Sequence, residues 1–134
     1  MFTTSPANTT SRLLLAQYAH ELGHAALPQD ASRLNLSIDG RYRVQLRAVD
    51  AARVMIRSRL DAVPPAGPAR DAALRRIGQM ACVSMARSPV ACVIDGDEDS
   101  FWLHQLSEPQ SLQDIDALVG DFVNELAFWV GSLQ

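Results

Sequence analysis

His20 and His24 stand four residues apart with Glu21 beside the first, so His20-Glu21-Leu22-Gly23-His24 spells the zinc-protease pattern HExxH. The spacing has a chemical logic: on an α-helix, imidazoles at i and i+4 share a face and can grip one Zn²⁺, with the glutamate as general base. The rest of such a site is missing. A catalytic zinc needs a third protein ligand, but the HExxHxxGxxH continuation meets Leu27 where its glycine belongs and Asp30 where its last histidine belongs. The next glutamate after Glu21 is Glu98, which falls in a loop. On a helical projection of about 100° per residue, both histidines fall nearly opposite the apolar stripe of their own helix. They read as a solvated helix face; the alternatives are adventitious metal binding and a zinc metalloprotease-like protein.

The other candidates for chemistry are weaker. Asp95, Asp97 and Asp99 imitate the first positions of a calcium loop, but Ser100 replaces the required glycine and Leu106 the bidentate glutamate, so the segment reads as a turn. His104, on a mostly apolar strand, reads as a satisfied or interface histidine. Cys82 and Cys92 have no CxxC or Cys/His ligand spacing and suit packing thiols in a reducing cytoplasm. No GxGxxG, P-loop or GxSxG occurs. The sequence assigns no catalytic residue, no metal site and no cofactor.

Charge is distributed unevenly. All 12 basic residues are arginines lying between Arg12 and Arg87, against 6 acids over residues 1–87, while residues 88–134 carry 9 acids and no base. The halves attract each other, and a net charge of -3 argues against nucleic acid, whose phosphates need uncompensated cations. No apolar run approaches the length of a membrane span.

The elements that must position these residues follow from periodicity. Residues 1–10 read as a flexible, polar tail, and residues 11–134 as a single domain. A first helix is predicted from a cap among Thr9, Thr10 and Ser11 to about Ala26, stopped by Pro28, with Leu15, Tyr18, Ala19 and Leu22 on its inner stripe. Three strands follow. Leu34, Leu36 and Ile38 alternate with polar residues, Asp39-Gly40 is a hairpin turn, and Tyr42, Val44 and Leu46 alternate with Arg41, Arg43 and Arg47. The third, Arg53 to Leu60, sets Val54, Ile56 and Leu60 against Arg53, Arg57 and Arg59. The resulting arginine face reads as solvated sheet surface, with contact to acidic segments of a partner as the alternative.

Pro64-Pro65-Ala66-Gly67-Pro68 breaks the chain before a second helix, Ala69 to Arg87. Leu74, Ile77, Ala81 and Met85 form one apolar stripe on it, and Ala72, Ala73, Met80 and Val83 widen that stripe beyond what one sheet face can cover, which favours a partner. Val90 to Ile94 and Phe101 to Leu106 read as strands covered on both sides. Ser111 with Asp114 makes a capping box for a last helix to Leu133 that carries Ile115, Leu118, Phe122, Leu126 and Trp129 inward. The fold class is α+β: helix, three strands, helix, two strands, helix, in a twisted, mainly antiparallel sheet.

Ser11 to Gly23, with leucines and an aromatic followed by Leu-Gly, resembles the first helix of the class I type III secretion chaperones, the CesT and SycE kind. Leu34 to Gly40 resembles their first hairpin, Ala73 to Arg87 with Val90 to Ile94 their second helix and fourth strand, and Ile115 to Leu133 their last helix. At the junction before the fourth strand, the asparagine and glycine often found there are Arg87, Ser88 and Pro89. The resemblance implies a cytoplasmic homodimer joined through the second helix at Leu74, Ile77, Ala81 and Met85. It implies that the amino-terminal segment of a secreted effector wraps around this dimer in extended, nonglobular form, without cofactor or ATP. Leu13, Leu34, Leu36, Tyr42 and Val44 are the residues expected to meet that segment, which would also add a strand to a sheet edge.

Overall fold

Alternation along the first strands decides which side of the sheet is inside. The computed structural model describes residues 6–23 and 33–133 and runs α1 (Pro6–Glu21), β1 (Arg33–Ile38), β2 (Tyr42–Ala48), β3 (Val54–Ala62), α2 (Pro68–Met85), β4 (Ala91–Asp95), β5 (Ser100–Ser107) and α3 (Leu112–Leu133). The strands form one five-stranded sheet in the order β1-β2-β3-β5-β4, and every neighbouring pair is antiparallel. Leu36 lies opposite Val44 and Leu34 opposite Leu46. These residues, with Val54, Ile56 and Leu103, build a core with Leu15, Tyr18 and Ala19 of α1 and Ile115, Phe122, Leu126 and Trp129 of α3. Ile77, Met80 and Ala81 of α2 pack against the same cluster, so the three helices lie on one side of the sheet. At about 1.5 to 3 kcal/mol for each large apolar side chain removed from water, this cluster is the main stabilising term.

Local chemistry explains the boundaries. Asp39 and Gly40 both have positive φ, 56° and 62°, and the Arg41 N–H donates to the Ile38 carbonyl at 3.0 Å, a β-turn of the kind Asp-Gly favours in the short connection from Ile38 to its partner Tyr42. The Ser111 Oγ accepts from the Asp114 N–H at 3.1 Å and caps α3, while the Asp114 carboxylate accepts from the Gln110 N–H at 2.7 Å. Asp50 closes the β2–β3 turn by accepting from the N–H groups of Ala52 and Arg53 at 3.1 and 3.0 Å. The Arg53 side chain holds the Asp50 carboxyl below its usual range.

Three sequence expectations need correction. α1 begins at Pro6, so residues 6–10 are helical rather than tail; residues 1–5 lie outside the described residues. A proline costs nothing in a first turn, where its missing N–H would have no helical partner. Ser11 is therefore no cap: it is fully buried and donates to the Asp50 carbonyl at 2.7 Å, tethering α1 to the β2–β3 turn. α1 also ends earlier than Ala26. Gly23 takes a left-handed φ of 79° and its N–H donates to the His20 carbonyl at 3.0 Å, so the Leu-Gly pair stops the helix before Pro28 is reached. Finally, β4 and β5 are not covered on both sides. β4 is an edge strand with Ala91 and Ile94 exposed, and the outer side of β5 meets an arginine instead of a second layer.

Candidate functional site

The structure takes the metal-binding pattern apart. His20 and Glu21 are exposed at the last turn of α1, and the left-handed Gly23 ends the helix before His24, which lies outside the described residues. Among the described residues, no group of three or more histidine, cysteine or acidic side chains is placed to hold a metal ion.

Among the described residues, α2 carries three of the nine exposed large apolar side chains. Its only fully buried residue is Ser84, in a helix of 18 residues. Of the stripe named from the sequence, Leu74 is 38% and Met85 75% exposed, whereas Ile77 and Ala81 are half-buried against the core. Val83 adds a further outward side chain at 57% exposure. The inward stripe is thus Ala73, Ile77, Met80, Ala81 and Ser84; Leu74 and Met85 flank it on one side, and Val83 flanks it on the other. Large apolar groups left in water on one helix mark a surface that another molecule covers.

A polar lock holds α2 in that attitude. Glu125 of α3 is 7% exposed, and its Oε2 accepts from the Ser84 Oγ at 2.7 Å and from the Trp129 indole N–H at 3.1 Å. Arg87 at the end of α2 completes the pairing at 3.2 Å from Oε1 and stacks on Phe128 at 4.2 Å. Three donors around one buried carboxylate are what such a charge requires inside a protein.

The five residues expected to meet an extended segment do not form one exposed surface. Leu13 is 53% exposed and lines a shallow apolar groove of about 430 Å³ with Ala16, His20 and Leu112, between α1 and the start of α3. Tyr42 is half-buried in a second groove with Leu60, Leu126 and Val130. Leu34, Leu36 and Val44 are 2 to 4% exposed and belong to the core, because their side of the pleat faces α1 and α3. Alternation places Leu34, Leu36 and Val44 on one face, and α1 and α3 cover them there, while Tyr42 on the same face keeps its groove.

The opposite face of the sheet carries Arg33, Arg43, Arg47, Arg57 and Arg59 on alternate positions of β1, β2 and β3, with Trp102 and His104 on β5. Arg57 lies flat on Trp102, its guanidinium carbon 3.9 Å from the ring centre, and reaches Asp95 at 3.6 Å. Arg59 donates to the Ser100 Oγ at 3.1 Å. Burial, reinforced by the charge of Arg57, lowers the pKa of the His104 imidazole. All three described helices lie on the other side.

Comparison with known proteins is decisive at this point, since the model of the Tir chaperone protein (CesT) family matches residues 13–129. The chain belongs to that family. Its fold is similar to that of a chain of the HopA1–SchA chaperone–effector complex, at 14% identity and a TM-score of 0.72, covering 96% of this chain and 99% of that one. It is also similar to a chain of the ExsC–ExsE complex, at 17% identity and a TM-score of 0.67 over 92% of each chain. A third similar structure is that of the Yersinia pestis type III secretion chaperone SycH with a fragment of YscM2, at 18% identity and a TM-score of 0.58, covering 87% of this chain and 97% of that one. At these identities the likeness is one of fold. No curated protein matches the chain significantly.

In this CesT-family chain the elements are legible in the sequence and the lock is not. Ser84 and Glu125 are polar letters inside apolar stripes, and nothing in their local sequence says that they face each other across 41 positions. A signal was present for Glu125, which sits at helical spacing between Phe122 and Trp129 on the inner stripe of α3. A carboxylate there must have a buried partner.

Proposed function

We propose that this chain is a homodimeric type III secretion chaperone, held in the bacterial cytoplasm, that binds the amino-terminal segment of a secreted effector in extended form and performs no chemistry of its own. The observation that carries the reading is α2: an 18-residue helix whose one fully buried residue is a serine and which leaves Leu74 and Met85 exposed on one flank and Val83 on the other. Covering three such side chains on each of two copies is worth about 1.5 to 3 kcal/mol apiece in gross terms, enough to offset the entropy of association. Family membership supports the same role, and among similar folds are chains from complexes described as chaperone with effector.

The client segment would seat apolar side chains in the grooves at Leu13 and Tyr42 and could pair with an exposed edge of the sheet, at β1 or β4. Ordering a disordered segment costs about 2 to 5 kcal/mol, so several separated grooves along one path serve better than a single deep pocket. Light scattering tests the dimer, and co-expression with the amino-terminal region of a secreted protein from the native cell tests the client. A persistent monomer that leaves that region insoluble and degraded overturns the proposal. Among the described residues, no helix is long and apolar enough to cross a membrane.

A further inference from the structure

We propose that the helix-free face of the sheet is a docking site for an extended peptide segment carrying carboxylates at alternate positions. The inference rests on the chaperone reading for the source of that segment. Four observations converge on it. First, the fold sets like charges against each other: Arg33 lies directly opposite Arg47 across β1 and β2, an arrangement that costs stability unless an anion intervenes. Second, among the described residues the only carboxylate paired to this face is Asp95, at 3.6 Å from Arg57, and Arg33, Arg43 and Arg47 have no acidic partner. Third, Arg43, Arg57, Arg59 and Trp102 border a groove of about 450 Å³ crossed by Asn35 and Gln45. These two amides pair across the strands at 3.3 Å and leave further donors and acceptors for a peptide backbone. Fourth, the Arg57 Nε and the Trp102 Nε1 are buried without any hydrogen-bond partner. Unpaired donors of this kind are expensive, and an arriving carboxylate that lifts Arg57 from the indole satisfies them.

Spacing selects the occupant. Arg57 and Arg59 are two residues apart on one strand, about 6.5 to 7 Å, which is the repeat of same-side residues in an extended peptide. Planar guanidinium groups match carboxylates two bonds at a time. A nucleic acid strand is the less suitable polyanion, because Asp95, Asp97, Glu98 and Asp99 crowd the β4–β5 hairpin beside the groove and the chain as a whole is at -3. A peptide with neutral residues between its acids meets less of that repulsion.

The test uses the full chain and three fluorescein-labelled probes: a peptide of alternating glutamate and threonine, its glutamine twin, and a uridine oligoribonucleotide. The glutamate peptide is expected to bind at least about tenfold more tightly than its twin at low salt, and to lose most of that margin at about 1 M salt, where charges are screened within about 3 Å. R43E and, separately, R33E are expected to remove the preference while leaving the circular dichroism unchanged. Because Trp129 is fully buried, acrylamide quenching reads Trp102, which is expected to become shielded in the complex. Equal binding of the two peptides, or tighter binding of the oligoribonucleotide, overturns the inference. If the protein captures its client's amino-terminal region yet treats both peptides alike, the arginine face is wrong and the chaperone reading stands. A glutamate preference in a protein that captures no client supports the face and counts against the chaperone reading.

Discussion

Ser84 on α2 donates a 2.7 Å hydrogen bond to the Glu125 carboxylate on α3, and this contact fixes which side of α2 is turned outward. Replacing Glu125 by leucine strands the Ser84 hydroxyl and the Trp129 indole N–H at one buried point and leaves the half-exposed Arg87 without its ion pair. The expected loss is about 3 kcal/mol in urea unfolding, against about 1 kcal/mol for Ser84→Ala, which removes one neutral donor. In the double variant the two losses should fall short of their sum, since the second substitution removes a bond already broken. Full additivity would show that the two side chains act independently.

Val83 and Met85 are left in water on opposite flanks of α2, either side of Ser84. Val83→Glu and Met85→Glu place a charge where two copies would close, and burying an unpaired carboxylate is prohibitive. Both variants should elute as monomers with native circular dichroism at micromolar concentration. By contrast, Ile77→Glu should fail to fold, because Ile77 already packs against the protomer's own core. A Met85→Glu protein that remains dimeric in light scattering places the interface elsewhere.

How far the sequence carried the reading depends on the range of the interaction. Periodicity of two and of about 3.6 residues placed every strand and helix, and Asp39-Gly40 and Ser111 with Asp114 marked a turn and a cap because those effects act within four positions. Side-chain exposure is a long-range property and was harder to read. Leu36 and Val44 were correctly set on one face, yet whether that face meets a helix or a ligand is decided by α1 and α3, which are remote in sequence. Arg57 and Trp102 likewise stack across neighbouring strands 45 positions apart by residue number, a contact that no local pattern announces. Ser11 shows the opposite failure: its type suggested a local cap, and a tertiary bond to the Asp50 carbonyl took it instead.

The Tyr18 hydroxyl donates to the Asp116 carboxylate at 3.0 Å and joins α1 to α3. Burial, then that hydrogen bond, pushes its pKa up from 10.0 to about 12. The unfolded chain releases this proton near its ordinary pKa while the folded chain still holds it, so above that point the unfolded state binds fewer protons and stability falls as pH rises. The contribution is fully present below about pH 10 and is lost progressively toward about pH 12. Tyr18→Phe should cost about 1 kcal/mol at neutral pH and should flatten this part of the alkaline decline. If the variant and the parent decline in parallel, Tyr18 is not the group responsible.

Zinc should be dispensable. Untagged protein analysed by mass spectrometry for metals is expected to carry none in stoichiometric amount, EDTA should leave the melting temperature unchanged, and Glu21→Gln should alter neither dimerisation nor client capture. The physical ground is the end of α1 at Glu21 and the left-handed Gly23 that follows it, which stop the helix that carries His20. One equivalent of tightly held zinc would refute this.

Leu13 separates binding from folding most cleanly. It is 53% exposed in the groove it shares with Ala16 and Leu112, whereas Leu15, two positions along the same helix, is 1% exposed inside the core. Leu13→Asp adds a charge to solvated surface and should leave the melting temperature within a few degrees of the parent. Leu15→Asp buries the same charge and should prevent folding. If the groove seats an apolar side chain of the client, Leu13→Asp removes about 1.5 to 3 kcal/mol of burial and weakens capture by roughly tenfold to a hundredfold, with the dimer intact by light scattering. Undiminished capture by a folded Leu13→Asp dimer would move the client's path off α1 and onto the remaining surfaces, the Tyr42 groove and the arginine face.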